Sequence, residues 1–120
     1  MDAETRFLHR LHRRIPDDVD IMLPLAEALT RVGEIEEGLE VDLRLAACRP
    51  EDPTIRYNLA CSLALCGQAD RALETLARAV ALGYRDPAHL REDPDLESLR
   101  DDPRFQAVLR SLEEAPPAAP

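Results

Sequence analysis

A 34-residue repeat constrains this sequence more than any other feature. Two glycines, Gly33 and Gly67, are 34 residues apart, and so are the prolines Pro16 and Pro50. The same step joins Leu25 to Leu59, Ala26 to Ala60, Leu29 to Leu63, Leu39 to Leu73, and Asp18 to Asp52 and Asp86. A fixed period of this length indicates stacked units that bury their apolar faces on one another.

Each unit is predicted to be a pair of helices. Asp52 suits the cap of a helix that begins at Pro53, because proline lacks an N–H that the first turn would leave unpaired anyway. Gly67 and Gly83 suit the ends of the two helices of this unit. Their apolar faces contain Leu59, Ala60, Leu63 and Ala64, then Ala69, Ala72, Leu73, Leu76, Ala77, Val80 and Ala81. The first unit follows the same plan, with a start near Asp20 that Pro24 is expected to loosen or bend.

The composition agrees with a helical domain. The 120 residues are enough for one domain, and only four of them are aromatic, so leucine and alanine supply the core. The predicted fold class is all-α, a short α-solenoid of antiparallel helix pairs. No apolar run approaches the roughly 20 residues that span a membrane. The start, MDAETRF, lacks the basic and apolar regions of a signal peptide, which predicts a cytoplasmic protein.

Charge and chemistry exclude several function classes. The net charge is −9, and an acidic chain lacks the basic surface that nucleic acid needs, so a nucleic-acid partner is not expected. The three cysteines, Cys48, Cys61 and Cys66, are predicted to be reduced thiols. No spacing of cysteine, histidine or carboxylates fits a metal site, a catalytic triad or a phosphate loop. We therefore predict no cofactor and no enzyme.

The repeated stretches resemble a known family. The segment YNLACSLALCGQADRALETLARAVALG, residues 57–83, resembles a full tetratricopeptide repeat, through Leu59, Ala60, Gly67, Ala72 and Ala79. Residues 19–50 resemble a weaker copy, through Leu25, Ala26, Leu29, Gly33 and Pro50. The stretch LREDPDLESLRDDPRFQAVL is similar to the Asp-Pro-rich tail of bacterial tetratricopeptide proteins.

The two ends are predicted to cover the repeats. Residues 3–15 form an amphipathic helix, with Phe7, Leu8, Leu11 and Ile15 on one face and Arg6, Arg10, Arg13 and Arg14 mostly on the other. We expect it to cap the first repeat, the alternative being a basic contact with membrane or RNA. Asp-Pro occurs three times in residues 86–103, and each occurrence is predicted to begin a short helix.

These assignments give one domain over residues 1–114. It contains the capping helix 3–15, repeat 1 at 19–50, repeat 2 at 53–84 and a C-terminal cap at 87–113. Residues 115–120, APPAAP, are predicted to be a disordered tail.

Two charged residues depart from the family pattern. Asp42 and Arg56 stand where the resemblance implies bulky apolar residues, and Gly38 replaces a usual alanine. We hypothesise an ion pair between Asp42 and Arg56 that joins the two repeats. In the alternative, both point to solvent while Val41, Leu43 and Leu45 carry the packing.

The resemblance implies a binding site on the concave surface formed by the first helix of each repeat. Its candidate residues are Asp20, Leu23, Glu27, Arg31, Tyr57, Asn58, Cys61 and Leu65, with Thr30, Thr54 and Ala64 beside them. Of the positions that match the family's carboxylate clamp, only Asn58 carries a fitting residue, so a carboxylate clamp is not expected. The mixed groove suits an amphipathic helix or extended segment with some positive charge. Tyr57 is either its aromatic anchor or packs against the N-terminal helix.

The predicted function is an adaptor that binds a segment of a so far unidentified protein or peptide in this groove. The alternative is a structural module that self-assembles through its convex face or N-terminal helix. A third reading, an accessory domain of a larger enzyme, is disfavoured by the starting methionine and the proline-rich end. The expected state is a monomer or a weak homodimer.

Overall fold

The computed structural model describes residues 1–114, which contain seven α-helices, one 3₁₀ helix and no strand. The helices are α1 (Ala3–Arg14), α2 (Val19–Arg31), α3 (Ile35–Cys48), α4 (Pro53–Leu65), α5 (Ala69–Leu82), α6 (Pro87–Glu92) and α7 (Pro103–Glu114). The 3₁₀ helix, Pro94–Leu99, lies between α6 and α7. The predicted disordered tail at 115–120 lies outside the described residues.

The helices stack in consecutive pairs. Helix α2 pairs with α3 and α4 with α5, and α3 packs on α4, which joins the two pairs. Helix α1 packs on α2 at one end, while the 3₁₀ helix and α7 pack on α4 and α5 at the other. The predicted all-α solenoid of antiparallel helix pairs with capping helices is confirmed.

The repeat begins and ends its helices with the same residue types. Asp18 accepts a hydrogen bond from the Ile21 N–H, and Asp52 accepts one from the Ile55 N–H in the next repeat. Gly33 and Gly67 follow α2 and α4 with φ angles of 88° and 76°, in the left-handed region that favours glycine. Both helix boundaries therefore follow from local backbone chemistry. Helix α2 continues through Pro24, although this residue has no N–H to donate to the Asp20 carbonyl.

Each of the three Asp-Pro pairs begins a helix, as predicted. The carboxylates of Asp86, Asp93 and Asp102 accept hydrogen bonds of 3.0, 3.0 and 2.8 Å from backbone N–H groups two or three residues later. The helices they begin bury Leu90, Leu96, Leu99 and Phe105, each no more than 1% exposed. This C-terminal cap therefore closes the apolar end of the second repeat.

The packed face of α1 differs from the predicted one. Phe7 and Ile15 are 52% and 50% exposed, while Thr5 is fully buried and Leu8 is half-buried. His9 Nε2 lies 2.9 Å from Glu37 Oε2, which ties α1 to α3. Helix α1 thus packs on α2 and α3 through the side that contains Thr5 and Leu8. Phe7 and Ile15, which are half of the predicted apolar face, stay exposed.

The predicted ion pair between Asp42 and Arg56 is wrong. Asp42 is 4% exposed and accepts a hydrogen bond from the Ser62 hydroxyl of α4, while Arg56 donates to the Pro50 carbonyl at 2.8 Å. The alternative, in which Asp42 points to solvent, is also wrong. Asp42 therefore joins the two repeats through the hydrogen bond that its carboxylate accepts from the Ser62 hydroxyl, inside the stack.

Candidate functional site

A groove of about 690 Å³ runs between α2 and α4 on one side of the stack. Helix α2 forms one wall, α4 and the start of the 3₁₀ helix form the other, and α3 contributes to the floor. It is lined by Leu23, Pro24, Ala26, Glu27, Thr30, Arg31, Asp42, Leu45, Asn58, Cys61, Ser62 and Asp95. This volume falls within the range of about 300–1,000 Å³ that ligand pockets occupy.

The floor of the groove contains a buried carboxylate. Asp42 lies there with Leu45 and Ser62, which are 2% and 4% exposed. Burial raises the pKa of Asp42 to about 6, and the hydrogen bond from Ser62 opposes part of that rise because it favours the charged form. The floor therefore carries a negative charge at neutral pH that few protein groups stabilise.

Five of the eight predicted site residues line this groove: Leu23, Glu27, Arg31, Asn58 and Cys61. Leu23, Glu27, Arg31 and Asn58 are exposed, so a partner could contact them, whereas Cys61 is 6% exposed. The other three lie outside the groove lining: Asp20 is exposed near the start of α2, Leu65 is half-buried at the end of α4, and Tyr57 is buried.

Tyr57 cannot be the exposed aromatic anchor that the sequence suggested. It is 3% exposed, its ring stacks on Tyr84 with centroids 4.3 Å apart, and its hydroxyl donates a 2.7 Å hydrogen bond to Asp93 Oδ2. The ring of His89 lies 5.5 Å away. These partners belong to the C-terminal part of the chain, so the alternative of packing against the N-terminal helix is not what the structure shows either.

Asp93 connects the groove wall to the C-terminal cap. Its Oδ1 accepts from the Asp95 N–H, and its Oδ2 accepts from Tyr57 and, at 3.6 Å, from the Cys61 thiol. Oxygen and sulfur atoms of Cys61, Asp93 and Asp95 lie within 4.8 Å of one another, a grouping that the sequence spacing did not indicate. Burial, and then the charge of Asp93, raise the pKa of Cys61, which keeps the thiol protonated. The hydrogen bonds to Asp93 account for the closeness of these atoms.

The groove has an excess of negative charge. Glu27, Asp42 and Asp95 line it against a single lining cation, Arg31, which leaves a net formal charge of −2 from three acids and one arginine. The Arg31 guanidinium is 3.2 Å from Asp2 and 3.9 Å from Glu4 at the start of α1. The pKa of Asp95 is raised, mainly by its burial and then by the negative charge of Asp93. The unbalanced charge in the groove is therefore acidic.

Sequence reasoning missed Asp42 and Ser62 as groove residues. Asp42 was singled out because it departs from the family pattern, but its partner is 20 residues away on α4. A hydroxyl on an apolar helix face, Ser62 beside Leu59 and Leu63, was the available signal. Within residues 1–114, no helix is both long enough and apolar enough to cross a membrane.

Comparisons with known proteins support the fold. No protein-family model matches the sequence. The chain is 34% identical over 86 residues to a chloroplastic protein of Arabidopsis thaliana, and the match covers 69% of this chain but 26% of that protein. The chain thus spans about a quarter of the length of this curated relative.

Among solved structures, the chain superposes on MamA MSR-1 C2 with a TM-score of 0.70. The superposition covers 92% of this chain and 66% of that one at 20% sequence identity. At this identity the likeness shows a shared fold, the all-helical stack of helix pairs.

Proposed function

We propose that this chain is an adaptor that binds a segment of a partner protein in the groove between α2 and α4. One observation carries the proposal: the stack leaves a groove of about 690 Å³ whose walls present exposed Leu23, Glu27 and Asn58. An exposed leucine between polar groups is a contact that a helix or extended peptide can cover.

Selection from a displayed library of random 12-residue peptides tests this proposal. Peptides that bind the wild-type protein are then measured by fluorescence anisotropy against Leu23→Ser and Leu43→Ser. These leucines are 38% and 39% exposed, but Leu43 lies on α3 outside the groove, so the pair is matched in chemistry and exposure. We expect Leu23→Ser to weaken binding about tenfold, since a buried contact leucine contributes about 1–2 kcal/mol.

The control variant Leu43→Ser is expected to bind within about twofold of the wild type, because Leu43 does not line the groove. Peptides that lose affinity equally with both variants, or with Leu43→Ser alone, would overturn the proposed site. Failure to recover any peptide that depends on Leu23 would count against the adaptor function itself.

Self-association is a second candidate, favoured by the exposed stripe on α1. Phe7 and Leu11 lie in a shallow cleft together with Arg10, Arg13 and Arg14, and Phe7 is 52% exposed. Two copies of this face would bring these arginines close to one another, which opposes association at low salt. We therefore propose a monomer that at most dimerises weakly, and more strongly as salt screens the arginines.

Light scattering at 50 mM and 500 mM salt measures this directly. If α1 mediates association, the mean mass rises with salt and Phe7→Ser abolishes the rise, because the apolar contact is lost. A mean mass that does not change with salt or with protein concentration would exclude this second candidate.

A further inference from the structure

We infer that Asp42 is the receptor for a basic side chain, arginine or lysine, on the segment that binds in the groove. The inference rests on the proposed function and names the chemistry of the partner: a segment whose cation reaches the floor between α2 and α4. The inference gives Asp42 a binding role, whereas the sequence analysis predicted for it only a contact between the two repeats.

Asp42 has unused hydrogen-bonding capacity. An ionised carboxylate offers about four acceptor positions, yet in residues 1–114 only the Ser62 hydroxyl donates to this one. The side chain is 4% exposed, and no arginine or histidine of the described chain forms an ion pair with it. A buried charge with one neutral donor is an arrangement that folded proteins rarely retain without a further role.

Asp42 lines the groove together with Leu45 and Ser62, so a side chain that enters between α2 and α4 meets the carboxylate at the floor. Glu27 and Asp95 also line the groove, and its one lining cation, Arg31, forms an ion pair with Asp2. An incoming cation is therefore attracted by three acids, while an incoming carboxylate is repelled by them.

A basic side chain would stabilise the charged form of Asp42 that burial disfavours. Its N–H groups would donate charge-assisted hydrogen bonds, which are shorter and stronger than those between neutral groups. The aliphatic part of the same side chain would cover Leu23 and Leu45 on the way to the floor. Arginine and lysine combine an apolar stem with a cationic end, and this is the combination that the groove complements.

The test uses two displayed peptide libraries that differ only in whether arginine and lysine are allowed. We expect peptides that depend on Leu23 from the library with basic residues, and none from the library without them. For a selected peptide, the critical arginine is then replaced by citrulline, which keeps the shape and removes the charge. We expect this replacement to weaken binding to the wild type at least about tenfold, as for the loss of a desolvated charge pair.

A double-mutant cycle shows whether Asp42 is the partner of that arginine. With Asp42→Asn, the preference for the arginine peptide over the citrulline peptide should fall to about threefold or less, because the floor carboxylate is gone and only the attraction of Glu27 and Asp95 remains. Glu40→Gln, which removes an exposed acid from the same helix, should leave the preference for arginine unchanged. If Asp42→Asn does not fold, the comparison of the two peptides on the wild type still decides whether a cation is required.

The outcomes separate this inference from the proposed function. Groove-dependent peptides without arginine or lysine would overturn the inference and leave the adaptor function standing. An arginine whose effect is equal in Asp42→Asn and wild type would place the cation on Glu27 or Asp95 and would equally overturn it. The absence of any groove-dependent peptide would reject the proposed function.

Discussion

At the scale of single residues, the groove floor combines a stability cost with a binding role. Asp42 is buried, and its carboxylate is stabilised by one hydroxyl, so the protein carries a charge that its own interior disfavours. A residue that is retained at such a cost is typical of functional sites. Two opposite effects are therefore expected from one substitution, weaker binding and higher stability.

Asp42→Asn is expected to stabilise the free protein at pH 7 by about 2–3 kcal/mol, because the folded-state pKa of Asp42 is about 6 against an ordinary value of 3.8. Between about pH 4 and pH 6 the folded protein binds more protons than the unfolded chain at this site. The free energy of unfolding of the wild type therefore falls as pH rises through that window and levels off above it.

Urea denaturation from pH 4 to pH 8 measures the effect as the difference between Asp42→Asn and wild type. The difference should grow as pH rises and then stay constant. Glu40→Gln is the control, since Glu40 is an exposed acid on the same helix, and the groove acids Glu27 and Asp95 remain in all three proteins. If the difference in free energy of unfolding between Asp42→Asn and wild type does not depend on pH, burial does not raise the pKa of Asp42 as described.

The stacked tyrosines provide a second matched pair of residues. Tyr57→Phe should lower the free energy of unfolding by about 1–3 kcal/mol, because Asp93 loses a buried hydrogen-bond donor. Tyr84→Phe should change it by less than about 0.5 kcal/mol, since no residue of 1–114 pairs with the buried Tyr84 hydroxyl. Thermal or urea denaturation distinguishes the two, and equal losses would mean that the hydrogen bond from Tyr57 to Asp93 contributes no more than the unpaired Tyr84 hydroxyl.

At the scale of helices, the aspartate caps differ in what else they contact. Asp86 is exposed and caps α6 only, so Asp86→Ala should cost about 1 kcal/mol. Asp93 caps the 3₁₀ helix and also accepts from Tyr57, so Asp93→Ala should cost about 2–4 kcal/mol. Both variants lose one negative charge, and equal costs in urea denaturation would mean that Asp93 acts as a cap alone.

Helix positions were predictable because their signals are local. Helix α4 carries its own boundary signals: Asp52 caps its start, Pro53 is its first residue, and Gly67, with a left-handed backbone, follows its end. The cap and the glycine recur 34 residues earlier, at Asp18 and Gly33, which flank α2. The packed face of α1 was not predictable in the same way. Its apolar stripe is wide, and the contacts of Thr5 and His9 with distant parts of the chain select one flank of it.

The site was only partly predictable, for the same reason. Leu23 and Asn58 follow from the position of the first helix in each repeat, and the structure places both in the groove. Tyr57 occupies an equivalent position, but Asp93, 36 residues further along, holds its hydroxyl in the interior. Ser62 likewise meets Asp42 through the packing of α4 on α3. Contacts between elements cannot be read from a repeat pattern.

At the scale of the whole molecule, we expect the C-terminal cap to unfold together with the repeats, because its buried leucines and Phe105 share one hydrophobic core with them. Phe105 of α7 is 1% exposed, so Phe105→Ala should cost about 3–5 kcal/mol and lower the midpoint of one shared unfolding transition. Phe7→Ala, at a half-exposed position on α1, should cost less than about 1 kcal/mol. Two separate transitions in calorimetry of Phe105→Ala would contradict the single unit.

The central claim is that the groove between α2 and α4 receives a partner segment, and nuclear magnetic resonance tests it most directly. Amide shifts are recorded for the ¹⁵N-labelled protein as a selected arginine-containing peptide is added. The largest changes should fall on Leu23, Glu27, Asn58 and Ser62, which share the groove. Changes confined to α1, or to the side of α3 that carries Leu43, with the groove amides unchanged, would contradict the claim.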